Sequence, residues 1–435
     1  MGLTVIKMAR GKASGRDGAL EETVRGVIDE VRARGEAALF EYAERFDGAR
    51  PRGMRVGPQA FRDAYEATPA RTTEALHLAH ERILDFARKQ RSSLRELSCM
   101  DGTCALELGF RLLPVESCGC YVPAGRYPLP SSALMSVTTA RAAGVRRVAA
   151  TSPPSGGGEV HPAVLVALDI AGADEVYCAG GAGAIAAFAY GASACGEGGG
   201  IERVDMIVGP GNRFVTEAKR QVAGDVGIDG LAGPSEVLVI ADGTAKPAFI
   251  AADLLAQAEH DPEASPCLVA TDMGVIDGVL AELERRLTDP GFHARETAAR
   301  AWADNGVIYL ADGLDDAVEL ANVRAPEHIE LQLDPAAERS VAERLSAYGS
   351  LFVGHYAPVA FGDFVSGTNH ILPTMGSARF AGGLWVGTFL RAAFHQFISK
   401  EACAALADPC VTLAETEGLF AHSASVRIRL GKSSV

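Results

Sequence analysis

Long apolar runs are missing from this chain, although 48% of its 435 residues are hydrophobic. No stretch comes near the ~20 consecutive apolar residues that a membrane-spanning helix needs. The pattern of a secretion signal, a basic segment followed by an apolar one, is also missing from the N-terminal region. We therefore expect no membrane partner and predict a cytoplasmic location.

Positive charge and paired cysteines are scarce as well. The 41 Lys and Arg residues are outnumbered by 55 Asp and Glu residues, which gives a formal net charge of −14. This balance argues against a surface for nucleic acid or for an anionic membrane. The nine cysteines are an odd number without a regular framework, which predicts reduced thiols. Cys118 and Cys120 form the only tight pair, and no second pair completes a zinc ribbon.

Histidine is rare too, and four of the ten histidines lie in short polar segments. A carboxylate beside an imidazole, as in Glu327–His328, places two proton-transfer groups in one site. Imidazole is also a good zinc ligand, whereas an amide oxygen is a poorer one. The other three segments are Gln257–His260, Gly362–His370 and Glu417 with His422. Together the four segments predict a polar, metal-capable site assembled from distant parts of the chain.

Each segment taken alone also has a purely structural interpretation. His260 would be favourable at the C-terminal end of a helix. The run between Asp363 and His370 contains the residues of Asx and Ser/Thr turns. Glu417 and His422 would be ordinary solvated residues.

Short apolar strands alternate with helices in two series through the middle of the chain. The first series begins with a strand at Val145–Thr151, and the second ends with a strand at Ser350–Val353. At 435 residues, two lobes are expected, and this alternation predicts an α/β fold with two Rossmann-like parallel-sheet units. The predicted parts are N-terminal helices that join the second unit (1–117), the first unit (118–234), the second unit with the catalytic and metal-binding candidates (235–375), and a helical tail that packs on the partner of a homodimer (376–435).

Two glycine-rich turns follow predicted strands of the first series. Gly181–Ala186 fits a G-x-G-x-x-A dinucleotide fingerprint, although tight helix–strand packing explains the same glycines. The acidic residue expected about twenty positions later falls near Glu202 or Asp205, neither at a clear strand end. Gly209–Asn212 is the second turn, and Asn212 there either contacts a ligand or caps the next helix.

Seven segments in combination resemble the histidinol dehydrogenase family. In order along the chain they are Tyr121–Gly125, Gly209–Asn212, Ala218–Gln221, Gly233–Asp242, Asp253–His260, Pro326–His328 and Ser366–Thr374. The resemblance implies a homodimer with shared active sites, dependent on zinc and NAD. Such enzymes oxidise a primary alcohol, L-histidinol, to the carboxylate of L-histidine in two hydride transfers, with the aldehyde held between them.

The resemblance also implies roles for individual residues. Glu327 and His328 would be the acid–base pair, with His328 serving the alcohol oxidation and Glu327 the addition of water to the aldehyde. The zinc ligands would be Gln257, His260, Asp363 and, from the partner subunit, His422. The substrate would contact Ser235, His328, Asp363, His370 and Glu417. NAD would contact Tyr121 and Asn212.

Two segments depart from the biosynthetic family pattern. Gly183 stands where the family usually has a glutamine associated with NAD, so Gly183 marks the cofactor-binding position there. Gly125–Pro128 and Ala381–Gly387 look more like the paralogous branch that includes sulfopropanediol 3-dehydrogenase. The alternative substrate is therefore 2,3-dihydroxypropane-1-sulfonate, oxidised to sulfolactate, with Arg126 as the candidate partner of the sulfonate. Glu417 would instead suit the ammonium group of histidinol.

Two other protein classes compete with this assignment. A paralogue that only binds a small metabolite would have no need of both Glu327 and His328. A zinc-free Rossmann dehydrogenase would use Gly181–Ala186, but it would leave the four predicted zinc ligands without a purpose.

Overall fold

The computed structural model describes residues 2–10, 17–102, 106–124, 127–195 and 199–431. The strands are β1 (Leu3–Lys7), β2 (Leu97–Asp101), β3 (Leu106–Pro114), β4 (Ser117–Tyr121), β5 (Arg147–Ser152), β6 (Glu175–Cys178), β7 (Met206–Val208), β8 (Gly227–Ile228), β9 (Glu236–Ala241), β10 (Ser265–Ala270), β11 (Val307–Ala311), β12 (His328–Gln332), β13 (Ser350–Val353) and β14 (Leu390–Ile398). The α-helices are α1 (Gly18–Arg34), α2 (Glu36–Tyr42), α3 (Pro58–Ala67), α4 (Ala70–Ser93), α5 (Pro130–Ala143), α6 (Pro162–Ala171), α7 (Gly181–Tyr190), α8 (Arg213–Val222), α9 (Pro247–Ala258), α10 (Met273–Leu287), α11 (Arg295–Asn305), α12 (Leu314–Arg324), α13 (Pro335–Ala342), α14 (Val359–Phe364), α15 (Lys400–Thr416) and α16 (Phe420–Arg429).

Two parallel sheets carry the fold, as the alternation of strands and helices predicts. The first has the order β6-β5-β4-β7-β8, and the second has the order β1-β11-β10-β9-β12-β13. Only β1 runs antiparallel, at the edge of the second sheet beside β11. In each sheet the strand order reverses once, between β4 and β7 and between β9 and β12. Ligands of open α/β sheets bind at such reversal points.

Strand β9, in the centre of the second sheet, is apolar after its first residue because helices cover both faces of the sheet. In β9 every residue from Val237 to Ala241 is at most 1% exposed. The two faces of the second sheet pack into separate clusters. Val237 and Val239 lie on the side of α9 and α10, and Leu238 and Ile240 lie on the side of α12.

The N-terminal helices do not join the second unit, so that prediction is wrong. Helix α1 packs on α7 and α8, and helices α3 and α4 pack on α5 and α6, all of them in the first unit. Only β1 reaches the second sheet. The apolar stripe of an amphipathic helix specifies that the helix is covered, but it does not specify by which sheet.

The C-terminal part, residues 376–435, contains a strand where the sequence predicted only helices. Strand β14 pairs antiparallel with β3, which pairs with β2 in a small separate sheet. Helices α15 and α16 then pack mainly on each other. Several large apolar side chains of this part stay exposed, namely Phe394, Phe397, Leu413, Phe420 and Ile428. Among the described helices, none is both long and apolar enough to cross a membrane.

Candidate active site

The Glu327–His328 pair lies where helix α12 turns into strand β12. Ala325 ends α12 in the left-handed conformation, with φ of 48°, and Pro326 prevents the helix from continuing. His328 is then the first residue of β12, beside the start of β9. The pair therefore lies at the amino edge of the second sheet, whereas open α/β sheets usually bind ligands at the carboxyl edge.

The main chain of Glu236 holds both members of the pair. Its N–H donates to Oε2 of Glu327 at 2.9 Å, and its carbonyl oxygen lies 2.9 Å from Nδ1 of His328. Since a carbonyl oxygen only accepts, Nδ1 of His328 carries the proton and Nε2 presents its lone pair. One residue at the start of β9 thus sets the orientation of the carboxylate and the tautomer of the imidazole.

Burial adjusts the two proton affinities in opposite directions. Burial, together with charge on His370 and His260, lowers the pKa of His328 to about 4, although the hydrogen bond to the Glu236 carbonyl acts in the opposite direction. Burial raises the pKa of Glu327 well above its usual value, with the charges of Glu236 and Asp363 acting in the same direction. His328 is therefore neutral near pH 7, and its buried Nε2 has no hydrogen-bond partner among the described residues.

Asp363 faces the same imidazole from the short helix α14. Its Oδ1 lies 3.9 Å from Nε2 of His328, and burial raises the pKa of the Asp363 carboxyl to about 7. The carbonyl oxygen of Asp363 lies 2.9 Å from Nδ1 of His370. The other ring nitrogen of His370, Nε2, lies 3.1 Å from the hydroxyl of Ser132 on α5. Both nitrogens of His370 are thus occupied within the chain.

The segment with Gln257 and His260 approaches from helix α9. Gln257 is 1% exposed in the last turn of α9, and His260 follows two residues after the helix ends. Burial lowers the pKa of His260, and the charge of His260 acts on both His328 and His370. His260 therefore lies near the imidazoles of His328 and His370.

The side chains at this place suit a divalent metal ion, although no group of three potential ligands is already arranged for one among the described residues. Two observations support the fit: burial raises the pKa of the Asp363 carboxyl, and the imidazole of His260 acts on the neighbouring His328 and His370. A cation would relieve the cost of burying a carboxylate. Imidazole nitrogen with carboxylate oxygen is also a donor set that zinc accepts.

The tail residues lie apart from this cluster within one chain. Glu417 ends helix α15 and His422 lies in helix α16, and both are exposed. Ser235 is half-buried, immediately before β9. Arg126 lies outside the described residues.

The carboxyl edge of the first sheet holds the predicted cofactor residues Tyr121 and Asn212, one on each side of the strand reversal. Tyr121 is 3% exposed, and its hydroxyl accepts a hydrogen bond of 3.2 Å from the N–H of Gly181. Asn212 caps helix α8 through Oδ1, which accepts from the N–H groups of Phe214 and Val215. The capping interpretation of Asn212 is therefore confirmed, and its side-chain NH₂ group remains on the exposed side.

A buried ion pair fixes the turn that carries Asn212. Lys219 and Asp229, 3% and 5% exposed, are paired. Lys219 also donates to the carbonyl of Gly209 at 3.0 Å, while Asp229 accepts from the N–H of Gly209 at 2.8 Å. Both polar groups of Gly209 are thus satisfied, which holds the turn against the end of β4.

Gly183 lies in the first turn of α7 and faces the N-terminal helices. A Cβ at Gly183 would lie 3.0 Å from Cδ2 of Leu39, so close helix packing accounts for the glycine.

The two edges face each other across the segment 369–374. Asn369 donates to the carbonyl of Met135 on α5 at 3.0 Å, and Thr374 accepts from the N–H of Gly233 at 2.5 Å. With the contact of His370 to Ser132, these bonds connect the start of α5, which follows β4, to the catalytic cluster of the second unit. A ligand at the carboxyl edge of the first sheet would therefore face the Glu327–His328 pair.

Two residues of the site were missed by sequence reasoning. Glu236 acts through its main chain, which no side-chain pattern reveals. Ser132 lies in the first turn of the apolar helix α5, and its partner His370 is 238 positions away. No local signal marks Glu236, because its contacts depend on the parallel pairing of β9 with β12.

The fold and the site define an α/β enzyme with a buried Glu–His acid–base pair at the junction of two Rossmann-like units. The model of the family described as histidinol dehydrogenase matches residues 10–430, and the chain belongs to that family. The family makes the chain an oxidoreductase that acts on a CH–OH group, and zinc and NAD are the cofactors that the family implies.

Similar proteins match over nearly the whole chain. A histidinol dehydrogenase of Parasynechococcus marenigrum is 43% identical over 405 residues, which is 93% of this chain and 90% of that protein. A histidinol dehydrogenase homolog of Shouchella clausii is 39% identical over 427 residues, which is 98% of both chains. The crystal structure of histidinol dehydrogenase from Elizabethkingia anophelis superposes with a TM-score of 0.88 at 32% identity, covering 97% of this chain and 94% of that one.

Proposed function

We propose that this chain oxidises L-histidinol to L-histidine in two successive hydride transfers to NAD, with zinc in the site. The observation that supports the proposal most strongly is the Glu236 main chain, which orients two proton-transfer groups with opposite pKa shifts. A four-electron oxidation of an alcohol needs two such groups, because it removes an alcohol proton and later adds water.

His328 serves the first oxidation. Its neutral Nε2 takes the hydroxyl proton of the substrate, while the Glu236 carbonyl holds the proton on Nδ1. The pKa of about 4 ensures that Nε2 is unprotonated when the substrate arrives near pH 7.

Glu327 serves the second oxidation. The bound aldehyde must add water before a second hydride can leave, and a buried carboxylate with a raised pKa is a suitable base for that water. Because Oε2 of Glu327 is held by the Glu236 N–H, Oε1 is the oxygen that would take the proton.

Zinc would be held by Gln257, His260 and Asp363, with His422 of the partner subunit as the fourth ligand, and NAD would lie at the carboxyl edge of the first sheet near Tyr121 and Asn212. When bound, zinc orients the substrate and polarises its oxygen, and NAD accepts the hydrides. Ser235, His370 and Glu417 complete the substrate contacts, of which Glu417 suits an ammonium group. For His370, a substrate group would replace the Ser132 hydroxyl at Nε2.

The homodimer is supported by the exposed apolar side chains of the C-terminal part. Phe394, at 82% exposed, and Ile428, at 69%, lie on the small antiparallel sheet and on α16. Burial of such side chains favours association. A partner that covers them would also bring a tail close to the catalytic cluster.

Substrate oxidation tests the proposal directly. Purified enzyme with NAD and L-histidinol should form two NADH and one L-histidine per alcohol consumed, measured by absorbance and by chromatography of the product. 2,3-Dihydroxypropane-1-sulfonate in a parallel assay tests the paralogous substrate. Turnover of the sulfonate alone would overturn histidinol as the substrate, and turnover of neither alcohol would overturn both assignments.

Metal analysis tests the zinc ligands separately. We expect about one zinc per subunit in the wild type and a loss of about one equivalent in His260→Ala, because a structured site that loses a ligand binds its metal weakly. His293→Ala, at a histidine outside the cluster, is the matched control and should retain the metal. An active wild type without metal would show that the proposed ligand set is wrong.

A further inference from the structure

A cavity of about 240 Å³ lies at the amino edge of the second sheet, beside the catalytic pair. The first residues of β9 and β10, the end of α12 and the turn at Met375 form its wall. Leu238 and Cys267 place the cavity on the α12 side of the sheet. Ile329 packs on that side too, so the neighbouring His328 faces the opposite side. The described residues proposed for catalysis, zinc ligation and contacts to substrate or NAD lie outside its lining.

Two arginines, Arg324 and Arg379, line the cavity. Arg324 is half-buried at the end of α12, and Arg379 is exposed beyond the turn at Met375. Arg379 donates to the main-chain carbonyl of Val323, and in the described part of the chain neither guanidinium forms an ion pair. A guanidinium presents a planar fork of N–H donors that matches a carboxylate. The two arginines therefore suit the carboxylate of a ligand.

A carboxylate of the protein lines the same cavity. Glu236 is half-buried and accepts from the N–H of Met375 at 3.1 Å, and burial raises its pKa. The charges of Glu236 and Arg324 act on each other, but no ion pair joins these two described residues. Unpaired opposite charges in a partly buried place are unfavourable, and a ligand that carries both charges would pair with each of them. The cavity therefore suits a zwitterion.

The backbone around the cavity is unusual as well. Met375, with φ of 52°, and Ala325, with φ of 48°, are the two non-glycine residues with positive φ in the described part of the chain. Met375 lines the cavity, and Ala325 lies between the lining residues Arg324 and Pro326. Non-glycine residues rarely adopt this conformation, and those that do cluster at ligand and switch sites. The conformation of the wall thus agrees with a binding site.

We propose that this cavity binds a small α-amino acid with an apolar side chain, its carboxylate on Arg324 and Arg379 and its ammonium on Glu236. The apolar part of the ligand would contact Leu238, Pro326 and Met375, which also line the cavity. The main chain of Glu236 orients Glu327 and His328. The bound amino acid would therefore contact the residue that orients the catalytic pair, outside the sites of substrate and cofactor.

Calorimetric titration of the metal-loaded enzyme tests the proposal without turnover. The ligands are L-alanine, L-valine, L-leucine and L-methionine, together with acetate and methylammonium, which carry one of the two charges each. We expect at least one amino acid to bind the wild type at least about tenfold more tightly than acetate or methylammonium, because only the zwitterion contacts both charges. In Arg324→Gln and in Glu236→Gln that amino acid should bind at least about tenfold more weakly, the effect of losing a hydrogen bond to a charged group.

Arg344→Gln is the matched control, since Arg344 is 44% exposed and paired with Asp315 at 2.7 Å outside the cavity; its affinity should equal that of the wild type. Circular dichroism confirms that each variant is folded, and Arg379→Gln, at an exposed residue, tests the carboxylate end should Arg324→Gln not fold. A wild type that binds none of the four amino acids would overturn the proposal. Unchanged affinity in the folded cavity variants would place the ligand elsewhere and overturn it too. Acetate that binds as tightly as the amino acid would overturn the recognition of a zwitterion.

Discussion

At the scale of single residues, the site depends on the main chain of Glu236. Its N–H and carbonyl groups contact Glu327 and His328 at the same distance, 2.9 Å. The sequence made the pair conspicuous because an acid beside a histidine after a proline is a local pattern. It could not reveal Glu236 as the orienting residue, because that contact depends on the parallel pairing of β12 with β9.

Replacing Glu327 with glutamine separates the two oxidation steps. The amide side chain keeps the shape and still accepts from the Glu236 N–H, but it cannot take a proton from water. We expect the first hydride transfer to survive and the overall rate of acid formation to fall by about 10²–10⁴-fold, the usual contribution of a general base. Rapid-mixing absorbance should then record about one NADH per site followed by a very slow phase.

Glu343→Gln is the control for this experiment, since Glu343 is 70% exposed and paired only with Arg339. It should behave as the wild type. Two NADH per alcohol at an unchanged rate in Glu327→Gln would show that Glu327 is not the base for hydration.

At the scale of elements, strand β12 connects the two helices that carry the cluster. Glu330, 1% exposed, lies two residues after His328 on the same face of β12. Its Oε1 accepts from the N–H of Val359 at 3.0 Å, at the start of the helix that carries Asp363. The carboxyl group of Asp253 on α9, the helix that carries Gln257, acts on the carboxyl group of Glu330. Burial raises the pKa of both acids, and Oε2 of Glu330 has no hydrogen-bond partner in the described part of the chain. Because two buried carboxylates repel each other, we infer that the two carboxyl groups share a proton.

The shared proton makes part of the stability dependent on pH. Burial raises the pKa of Glu330 well above its usual value and that of Asp253 to about 6. The folded pair keeps a proton that the unfolded chain releases above its ordinary carboxyl pKa, so this contribution to stability is complete below about pH 4 and is lost as the pH rises through about 6. In Glu330→Gln an amide N–H donates to Asp253 without titrating.

We therefore expect the free energy of unfolding of Glu330→Gln to fall less steeply than that of the wild type between about pH 4.5 and 7, each taken from urea denaturation. Glu343→Gln should follow the wild-type slope, since it leaves the buried pair intact. Parallel curves for Glu330→Gln and the wild type would mean that no proton is shared.

At the scale of the whole molecule, the local sequence pattern predicted the two α/β units. The position of the N-terminal helices and the pairing of the C-terminal strand depend on long-range packing, which the pattern does not specify. Strand and helix alternation is readable within about 40 residues, the size of a βαβ unit. The pairing of β3 with β14 joins residues far apart in the chain, such as Phe110 and Phe394, and no local signal specifies it. Local signals also fail to specify the position of the N-terminal helices, because their apolar faces fit either unit. Nor does a local signal place Asp363 and His260 in one site. The resemblance to a family grouped these two residues, and in the fold both lie near His328.

The shared active site is a prediction about the dimer. His260 and Asp363 lie with the catalytic pair, whereas His422 lies on helix α16, which packs mainly on α15 of its own chain. If the tail completes the site of the neighbouring subunit, His260→Ala and His422→Ala each inactivate a homodimer. A mixed dimer still has one complete site, in the subunit that keeps His260 and receives His422 from its partner.

Unfolding the two variants together in equal amounts and refolding them tests this arrangement. Half of the dimers are mixed and each has one active site of two, so we expect about a quarter of the wild-type activity to return. Each variant refolded alone should stay inactive, and refolded wild type sets the scale. No recovery in the mixture, with dimers present by light scattering, would mean that His422 serves its own chain. An active His422→Ala refolded alone would mean that His422 serves no zinc site. Recovery near a quarter would identify the exposed apolar tail as the element that carries the fourth ligand across the dimer interface.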